Sequence, residues 1–344
     1  MPQRVFITRL LPDPGLSVVA AAADEVDHHA LDEALPADEI RRRVVGASAM
    51  ICMLTDAIDA TILEAAAQGG CGLVANVAAG YNNIDVAAAT RLGILVTNTP
   101  GVLTEATADL AFALILAVAR RVVEGDRVMR RGAFTGWSPF YMLGTEVSGS
   151  TLGLIGPGRI AEAVARRARG FGMALIHHGR RPAPALEALG SRPVALNDLL
   201  ETADFVSLHT PLTPDTHHLI NASALARMKP TAILINTARG PVVDEAALVE
   251  ALRRGQIAGA GLDVYEREPL MAEGLAECPN TVLLPHLGSA TRTTRGAMAA
   301  TAAANVAAWL RGERPPHLVN PEVWEARAVK GTADVGRSGT HGNT

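Results

Sequence analysis

TLGLIGPGRIAEAVARRARGFGMALIHHGRR, the stretch from Thr151 to Arg181, reads as strand, glycine turn, helix and second strand. Leu152 to Ile155 is a short apolar run that ends in glycines, and Ile160, Val164 and Ala168 then recur at helical spacing. Gly170 and Gly172 stop that segment, and Met173 to Ile176 supplies a second apolar run. Gly156 suits the tight turn, while Gly158 lets the backbone approach a pyrophosphate, whose charge the free N–H groups of a helix N-terminus favour. A glycine turn alone is a weak signal, because strand-to-helix junctions also use it structurally. Here strand and helix flank it in the order a dinucleotide site requires.

The second half of the unit bears on which dinucleotide. An NAD site usually carries Asp or Glu about 20 residues beyond the glycines to bind the ribose 2′-hydroxyl, whereas Arg there accommodates a 2′-phosphate. No acidic residue stands between Glu162 and Glu187, and the expected place holds His177-His-Gly-Arg-Arg181. The expectation is NADP(H) preference, with NAD(H) as the lesser cofactor and Gly179, Arg180 and Arg181 forming the phosphate turn, where guanidinium geometry fits best. The competing reading is a solvated basic turn.

With 344 residues the chain has room for two domains of ordinary size. It is 49% hydrophobic and 19% charged with a formal net charge of −4, a globular composition that points to neither a nucleic-acid nor a membrane partner. The start runs straight into a strand-like segment with no leader plan, and the longest apolar run, Leu110 to Ala119, is too short to span a bilayer. A cytoplasmic protein is expected, with that run as a buried helix. Cys52, Cys71 and Cys278 lack metal-ligand spacing and read as buried packing residues.

Working outward, Val5 to Thr8, Ala49 to Cys52, Leu73 to Val77 and Ile94 to Thr97 read as strands, alternating with helix-like segments at Asp38 to Val45 and Ala60 to Gln68. That alternation predicts an α/β open sheet. Asn98-Thr-Pro-Gly101 breaks it, and one long helix is expected from about Leu103 to Arg131. Phe134, Trp137, Phe140 and Tyr141 then cluster in a Gly- and Pro-containing loop, either against a second subunit or over a site. Six further strands are expected near Leu152, Ala174, Asp204 to Leu208, Ala232 to Ile235, Gly259 to Leu262 and Thr281 to Leu284, followed by a helix from about Ala290 to Arg311. Beyond about Arg327 the composition thins to Gly, Ser, Thr and charge, and a disordered tail is expected at 327–344.

Three strand-end segments concentrate reactive side chains: Asn236-Thr-Ala-Arg239-Gly240, Asp263-Val-Tyr-Glu-Arg-Glu268-Pro269 and Pro285-His286-Leu-Gly288. Ligands in open α/β sheets bind beyond the carboxyl ends of the strands, so these Arg, Glu and His residues are candidates for one cleft. A histidine is a proton donor or acceptor that titrates near neutrality, a carboxylate can orient it, and an arginine can hold an anionic group and stabilise developing negative charge.

Through these segments and others the sequence resembles the D-isomer-specific 2-hydroxyacid dehydrogenase family, and within it the glyoxylate/hydroxypyruvate reductases. The resemblance spans nearly the whole chain and includes Asn76-Val-Ala-Ala-Gly-Tyr-Asn-Asn-Ile-Asp85, Val96-Thr-Asn-Thr-Pro100 and Ala106-Thr-Ala-Asp-Leu-Ala111, with the Arg, Glu and His segments in order. It implies two doubly wound parallel-sheet domains: a flavodoxin-like substrate domain from residues 1–100 and 288–326, and a Rossmann NAD(P)-binding domain from residues 101–287. It implies a homodimer and a catalytic set on Arg239, Glu268 and His286. Other implied cofactor contacts are Arg159 and Ile160 after the glycines, Thr107 and Asp263 near the nicotinamide, Pro211, Thr237 with Ala238, and Gly288.

The loop through Ala78, Ala79 and Gly80 resembles the family's carboxylate-binding loop, whose N–H groups face the substrate. Phosphite-oxidising relatives carry Lys where Ala79 stands, which counts against phosphite. Met53 and Leu54 either wall the pocket or pack the core, and Trp137 either reaches a partner's active site or packs a dimer. Pro157 and Ala161 depart from the family's usual residues, but neither removes an N–H from Gly158. The implied activity is NAD(P)H-dependent reduction of small 2-keto acids, glyoxylate and hydroxypyruvate, to D-2-hydroxy acids. The alternatives are a dehydrogenase for a bulkier keto acid and a dinucleotide-sensing regulatory protein. Longer relatives with an added regulatory domain fit this length less well.

Overall fold

The computed structural model describes residues 2–327, so the tail expected beyond Arg327 lies outside the described residues. The chain forms two compact units: one takes the residues up to Leu103 and those from Thr291 onward, the other is Thr104–Ala290.

The first unit alternates β1 (Arg4–Ile7), α1 (Gly15–Ala22), β2 (Glu25–His28), α2 (Ala37–Arg43), β3 (Ala49–Met53), α3 (Ala60–Gln68), β4 (Leu73–Val77), α4 (Val86–Arg91) and β5 (Leu95–Thr97). All pairings are parallel, in the order β2-β1-β3-β4-β5. That is the flavodoxin-like order, whose ligand crevice opens beyond the carboxyl ends of the strands. The central strands read as continuous apolar runs because both faces are covered. One face carries Phe6, Met50 and Val74 against α2 and α3, and the other carries Val5, Ile51 and Ala75 against α1 and the last helix. Asp59 caps α3 by accepting from the N–H groups of Thr61 and Ile62, and its bounds are those the spacing predicts. β2 is absent from the sequence reading: its Glu-Val-Asp-His run is polar because it is an edge strand, fastened by Asp27 to Arg4 on β1 and Arg43 on α2.

The second unit holds α5 (Thr104–Ala119), α6 (Val122–Arg130), β6 (Thr151–Ile155), α7 (Arg159–Gly170), β7 (Ala174–His178), α8 (Pro184–Glu187), β8 (Arg192–Pro193), α9 (Leu196–Thr202), β9 (Phe205–Leu208), α10 (Ala222–Arg227), β10 (Ile233–Asn236), α11 (Glu245–Arg253), β11 (Gly259–Leu262) and β12 (Thr281–Leu283). Its sheet has seven parallel strands, in the order β12-β11-β10-β9-β6-β7-β8, rather than six. The added strand is a two-residue edge ending in Pro193, too short and too polar to register as a strand in the sequence. β6 and β9 are neighbours whose chain connections leave in opposite directions, and the crevice at that switch point is where dinucleotides bind in this fold. The single helix expected over 103–131 is two helices. The apolar pattern ends at Ala119, whose carbonyl accepts from Thr145 N at 2.8 Å, and Arg121 turns left-handed at φ 52° to start α6. β11 tolerates two glycines in its core because α5 lies directly on it: a Cβ on Gly259 would stand 2.8 Å from Val118 Cγ1, and one on Gly261 3.0 Å from Leu114 Cβ.

After Thr291, α12 (Arg292–Leu310) packs on the first unit, and a Cβ on Gly15 of α1 would meet Ala299 Cβ at 2.7 Å. The three cysteines are free and buried. Among the described residues no helix is long and apolar enough to cross a membrane.

Candidate active site

β6 delivers the glycine turn. Gly156 takes φ 89°, and a Cβ there would lie 2.5 Å from Thr210 N, so glycine is needed where the ends of β6 and β9 approach. Gly158, the N-cap of α7, has nothing within 4 Å of a built Cβ and makes no side-chain cap bond. No protein neighbour demands glycine there, and the open space lies over a helix N-terminus, which is what a pyrophosphate needs. At the end of β10 the buried Thr237 hydroxyl has no partner among the described residues, a second hydrogen-bonding group that a dinucleotide fits. Pro157 stacks over Gly179: a Cβ on that glycine would meet the proline ring at 2.2 Å. The ring thus fixes the turn after β7. Arg159 is exposed at the first turn of α7, with Ile160 partly buried beside it.

β7 extends through His178, so the basic turn begins at Gly179. His177 is buried with Nδ1 2.9 Å from Ser191 Oγ, and burial lowers its pKa. Arg180 and Arg181 are exposed, and Arg180 Nη1 donates to Asp215 at 2.9 Å. Asp215 stands on a turn tied by Thr216 Oγ1, which donates to Pro211 O at 2.7 Å and accepts from Thr213 N at 2.8 Å.

The strand ends β10, β11 and β12 bring the three reactive segments together. Gly240 lies against the backbone of Tyr265 and Glu266, where a Cβ would be 1.8 Å from Tyr265 C, so the Arg239 turn is pressed onto the Glu268 loop. Glu268 Oε2 lies 2.9 Å from His286 Nδ1, and its Oε1 accepts from Tyr265 N at 3.1 Å. Burial works to raise the Glu268 pKa, but the His286 hydrogen bond and charge, with Tyr265 N–H and Arg239, hold it below the ordinary value. Arg239 donates to Ala238 O at 2.7 Å and makes no ion pair among the described residues. Burial lowers its pKa, opposed by the charge of Glu268. A guanidinium removed from water without a paired carboxylate is set to receive an anion.

His286 itself sits at φ 54°, a left-handed conformation that costs a non-glycine residue. Asp263 over-determines it. Its carbonyl accepts from His286 N at 2.9 Å, Oδ1 from Leu287 N at 2.6 Å and Oδ2 from Gly288 N at 2.8 Å. Burial raises the Asp263 pKa, against the two amide bonds that lower it. Thr107 on α5 closes the turn by donating to Gly288 O at 3.1 Å. Both Asp263 oxygens are thereby committed to shaping the histidine turn. The Glu268 loop is braced in turn by Glu245 at the start of α11, which accepts from Glu266 N at 2.5 Å and Ala272 N at 2.9 Å, while Glu266 accepts from Glu245 N at 2.8 Å.

His218, which matches no motif, pairs through Nε2 with Glu266 at 3.1 Å and so has a structural part. Sequence reasoning misses His209, at the end of β9 beside Gly156. Its Nε2 lies 2.9 Å from Ser207 Oγ, and burial pushes its pKa down to about 3. Its place just after an apolar strand is the available signal. In the first unit Met53 ends β3 and Leu54 follows it, and Ala78, Ala79 and Gly80 follow the neighbouring β4. Met53 packs against the core cluster of Ile7 and Ile51. Trp137 is 83% exposed in the aromatic loop.

The model for the D-isomer specific 2-hydroxyacid dehydrogenase NAD binding domain matches residues 112–288. Glyoxylate reductase of Korarchaeum cryptofilum is 51% identical over 335 residues, 95% of this chain and 98% of that protein. A crystal structure of a Thermus thermophilus protein superposes with a TM-score of 0.86 at 49% identity, covering 92% of this chain and all of the other (100%). The NADPH-dependent glyoxylate/hydroxypyruvate reductase of Sinorhizobium meliloti, solved with NADP and malonate, gives a TM-score of 0.82 at 34% identity, covering 93% of this chain and 97% of that one. With its two parallel-sheet units and a dinucleotide turn on the second, this chain belongs to the NAD(P)-dependent D-isomer-specific 2-hydroxyacid dehydrogenases, with glyoxylate reductases among its relatives.

Proposed function

We propose that the chain reduces glyoxylate and hydroxypyruvate to D-2-hydroxy acids with NADPH in preference to NADH, as a cytoplasmic homodimer. The observation that carries this reading is the pairing of His286 Nδ1 with Glu268 beside the unpaired Arg239. With Nδ1 occupied by the carboxylate, Nε2 is the ring atom from which His286 gives a proton to the substrate carbonyl oxygen. Glu268 keeps the ring oriented. Arg239 takes the substrate carboxylate and polarises the carbonyl as charge develops on its oxygen. Bound NAD(P)H supplies the hydride. Gly156, Pro157, Gly158, Arg159 and Ile160 hold its pyrophosphate, and Thr107, Pro211, Thr237, Ala238, Asp263 and Gly288 shape the rest of its site. Arg180 and Arg181 receive the 2′-phosphate.

The first unit acts as the substrate domain through Ala78, Ala79 and Gly80, with Met53 and Leu54 at the wall. Small side chains there suit small keto acids. The Sinorhizobium meliloti reductase and its NADP complex support both the substrate class and the cofactor preference. Phe134 and Phe140 supply the dimer contact, and Trp137 either packs there with them or reaches the partner's active site.

The test is steady-state turnover of glyoxylate, hydroxypyruvate, pyruvate and phenylpyruvate with NADPH and NADH, in wild type and His286→Ala. High kcat/KM for the two small acids with NADPH, lost in the variant, is the expected result. Preference for phenylpyruvate would move the assignment to a bulkier substrate. Tight NADPH binding without turnover of any keto acid would replace the enzyme by a dinucleotide sensor.

A further inference from the structure

Beyond the end of β4, three consecutive carbonyls are each taken by a different donor. Thr99 N donates to Ala78 O at 2.8 Å, Asn98 Nδ2 to Ala79 O at 2.6 Å and Asn76 Nδ2 to Gly80 O at 2.9 Å. The segment belongs to no helix or strand, so nothing in regular secondary structure demands these bonds. In a planar trans peptide the carbonyl and the next N–H point in opposite directions. Holding the three carbonyls therefore turns the N–H groups of Ala79, Gly80 and Tyr81 each away from the donor of its own peptide plane, and Ala78, Ala79 and Gly80 carry little or no side chain beside them.

The donors are themselves anchored. Asn76 is fully buried, and its Oδ1 accepts from Asn83 Nδ2 at 3.3 Å. That same nitrogen reaches Met53 O at 3.1 Å and Asp56 O at 3.0 Å, joining the loop after β4 to the loop after β3. Asn98 is held through its backbone: its N donates to His317 O at 3.2 Å, and its O accepts from the buried Asn305 of α12 at 3.4 Å.

We propose that Asn98 and Asn76 are positioning residues that, by fixing the carbonyls of Ala79 and Gly80, aim the loop's amides at the carboxylate of the keto-acid substrate. Neither side chain touches substrate. Each acts through a peptide plane, so its loss weakens carboxylate binding in the ground state and transition state alike. That predicts a change in KM with little change in kcat.

The inference rests on the keto-acid reading above. The full-length protein is assayed with saturating NADPH, using glyoxylate as substrate and oxalate as the inhibiting carboxylate. Asn98→Ala is expected to raise the glyoxylate KM and the oxalate inhibition constant together by about five- to tenfold, the worth of one hydrogen bond. kcat should change less than about threefold, with NADPH affinity unmoved. Asn98→Asp keeps the shape, lacks the donor and adds a negative charge, so both constants should rise further. A folded variant of either kind with wild-type constants overturns the proposal. So does a fall in kcat, substrate and NADPH binding together, or loss of fold in both variants, since each assigns the side chain to stability alone. A wild type that neither turns over glyoxylate nor is inhibited by oxalate defeats the keto-acid reading itself.

Discussion

At the scale of single residues, His286 is shaped from two sides: Asp263 holds its strained backbone and Glu268 holds its ring. Glu268→Gln keeps the hydrogen-bonding shape but removes the negative charge beside the His286 ring. The kcat/KM for glyoxylate should fall about ten- to a hundredfold at neutral pH. Because the Glu268 carboxyl is held below its ordinary pKa, any acid limb due to its protonation should lie below the usual glutamate range. Arg180 offers a second residue-level prediction. Asp215 shares its guanidinium, so a 2′-phosphate placed on Arg180 would meet an adjacent negative charge. Asp215→Asn should tighten NADPH about threefold and leave NADH unchanged in fluorescence titrations, the modest size reflecting an exposed, screened pair. That Arg239, Glu268 and His286 lie beyond strand ends was legible in the sequence because each follows a short apolar run. Asp215, Asn98 and Asp263's grip on the histidine turn were not, because their partners are distant in the chain or are backbone atoms.

At the scale of elements, β2 shows what apolar pattern misses. Only Val26 in it is apolar, and what places it is Asp27, paired with Arg4 and Arg43. Burial works to raise the Asp27 pKa, but the hydrogen bonds and charges of Arg43 and Arg4 bring it below the ordinary value. The folded-state pKa is thus depressed, so its stabilisation is complete above the unfolded pKa and disappears as pH falls through the folded one. Asp27→Asn should lower stability by about 1–2 kcal/mol at pH 7 in urea unfolding. The deficit should vanish at a pH below the folded-state titration, and an equal deficit at both pH values would mean that shape, not charge, holds the strand. The opposite error arises over 103–131, where helical composition continues past Ala119 but Arg121 adopts a left-handed conformation and divides α5 from α6. Propensity records neither of these, because both are decided by contacts with segments far along the chain.

At the scale of the whole molecule, both open sheets were legible, since central parallel strands must be apolar on both faces. Their order was legible only through the family resemblance, because order depends on which strands pair rather than on what they are made of. Quaternary structure is where the aromatic loop becomes informative. Trp137 and Phe140 are each 83% exposed, Leu143 62%, and Met129 on α6 62%, in a chain with only 3% aromatic residues. Large apolar side chains gathered in one segment are more than a lone subunit leaves in water without a use. If a second copy covers them, a charge placed there must be desolvated on association and should oppose it. Phe140→Asp is therefore expected to turn a wild-type dimer into a monomer by light scattering at micromolar concentration, while the circular dichroism of the folded chain stays unchanged. Adding Trp137→Ala separates the two readings of that residue. If it only packs the interface, its loss weakens association and leaves the glyoxylate KM of the remaining dimer intact. If it reaches the partner's substrate, KM rises at concentrations where the dimer persists. A wild type that is monomeric from the outset would leave the loop a cover for its own subunit's site, and Phe140→Asp would then act on turnover and not on mass.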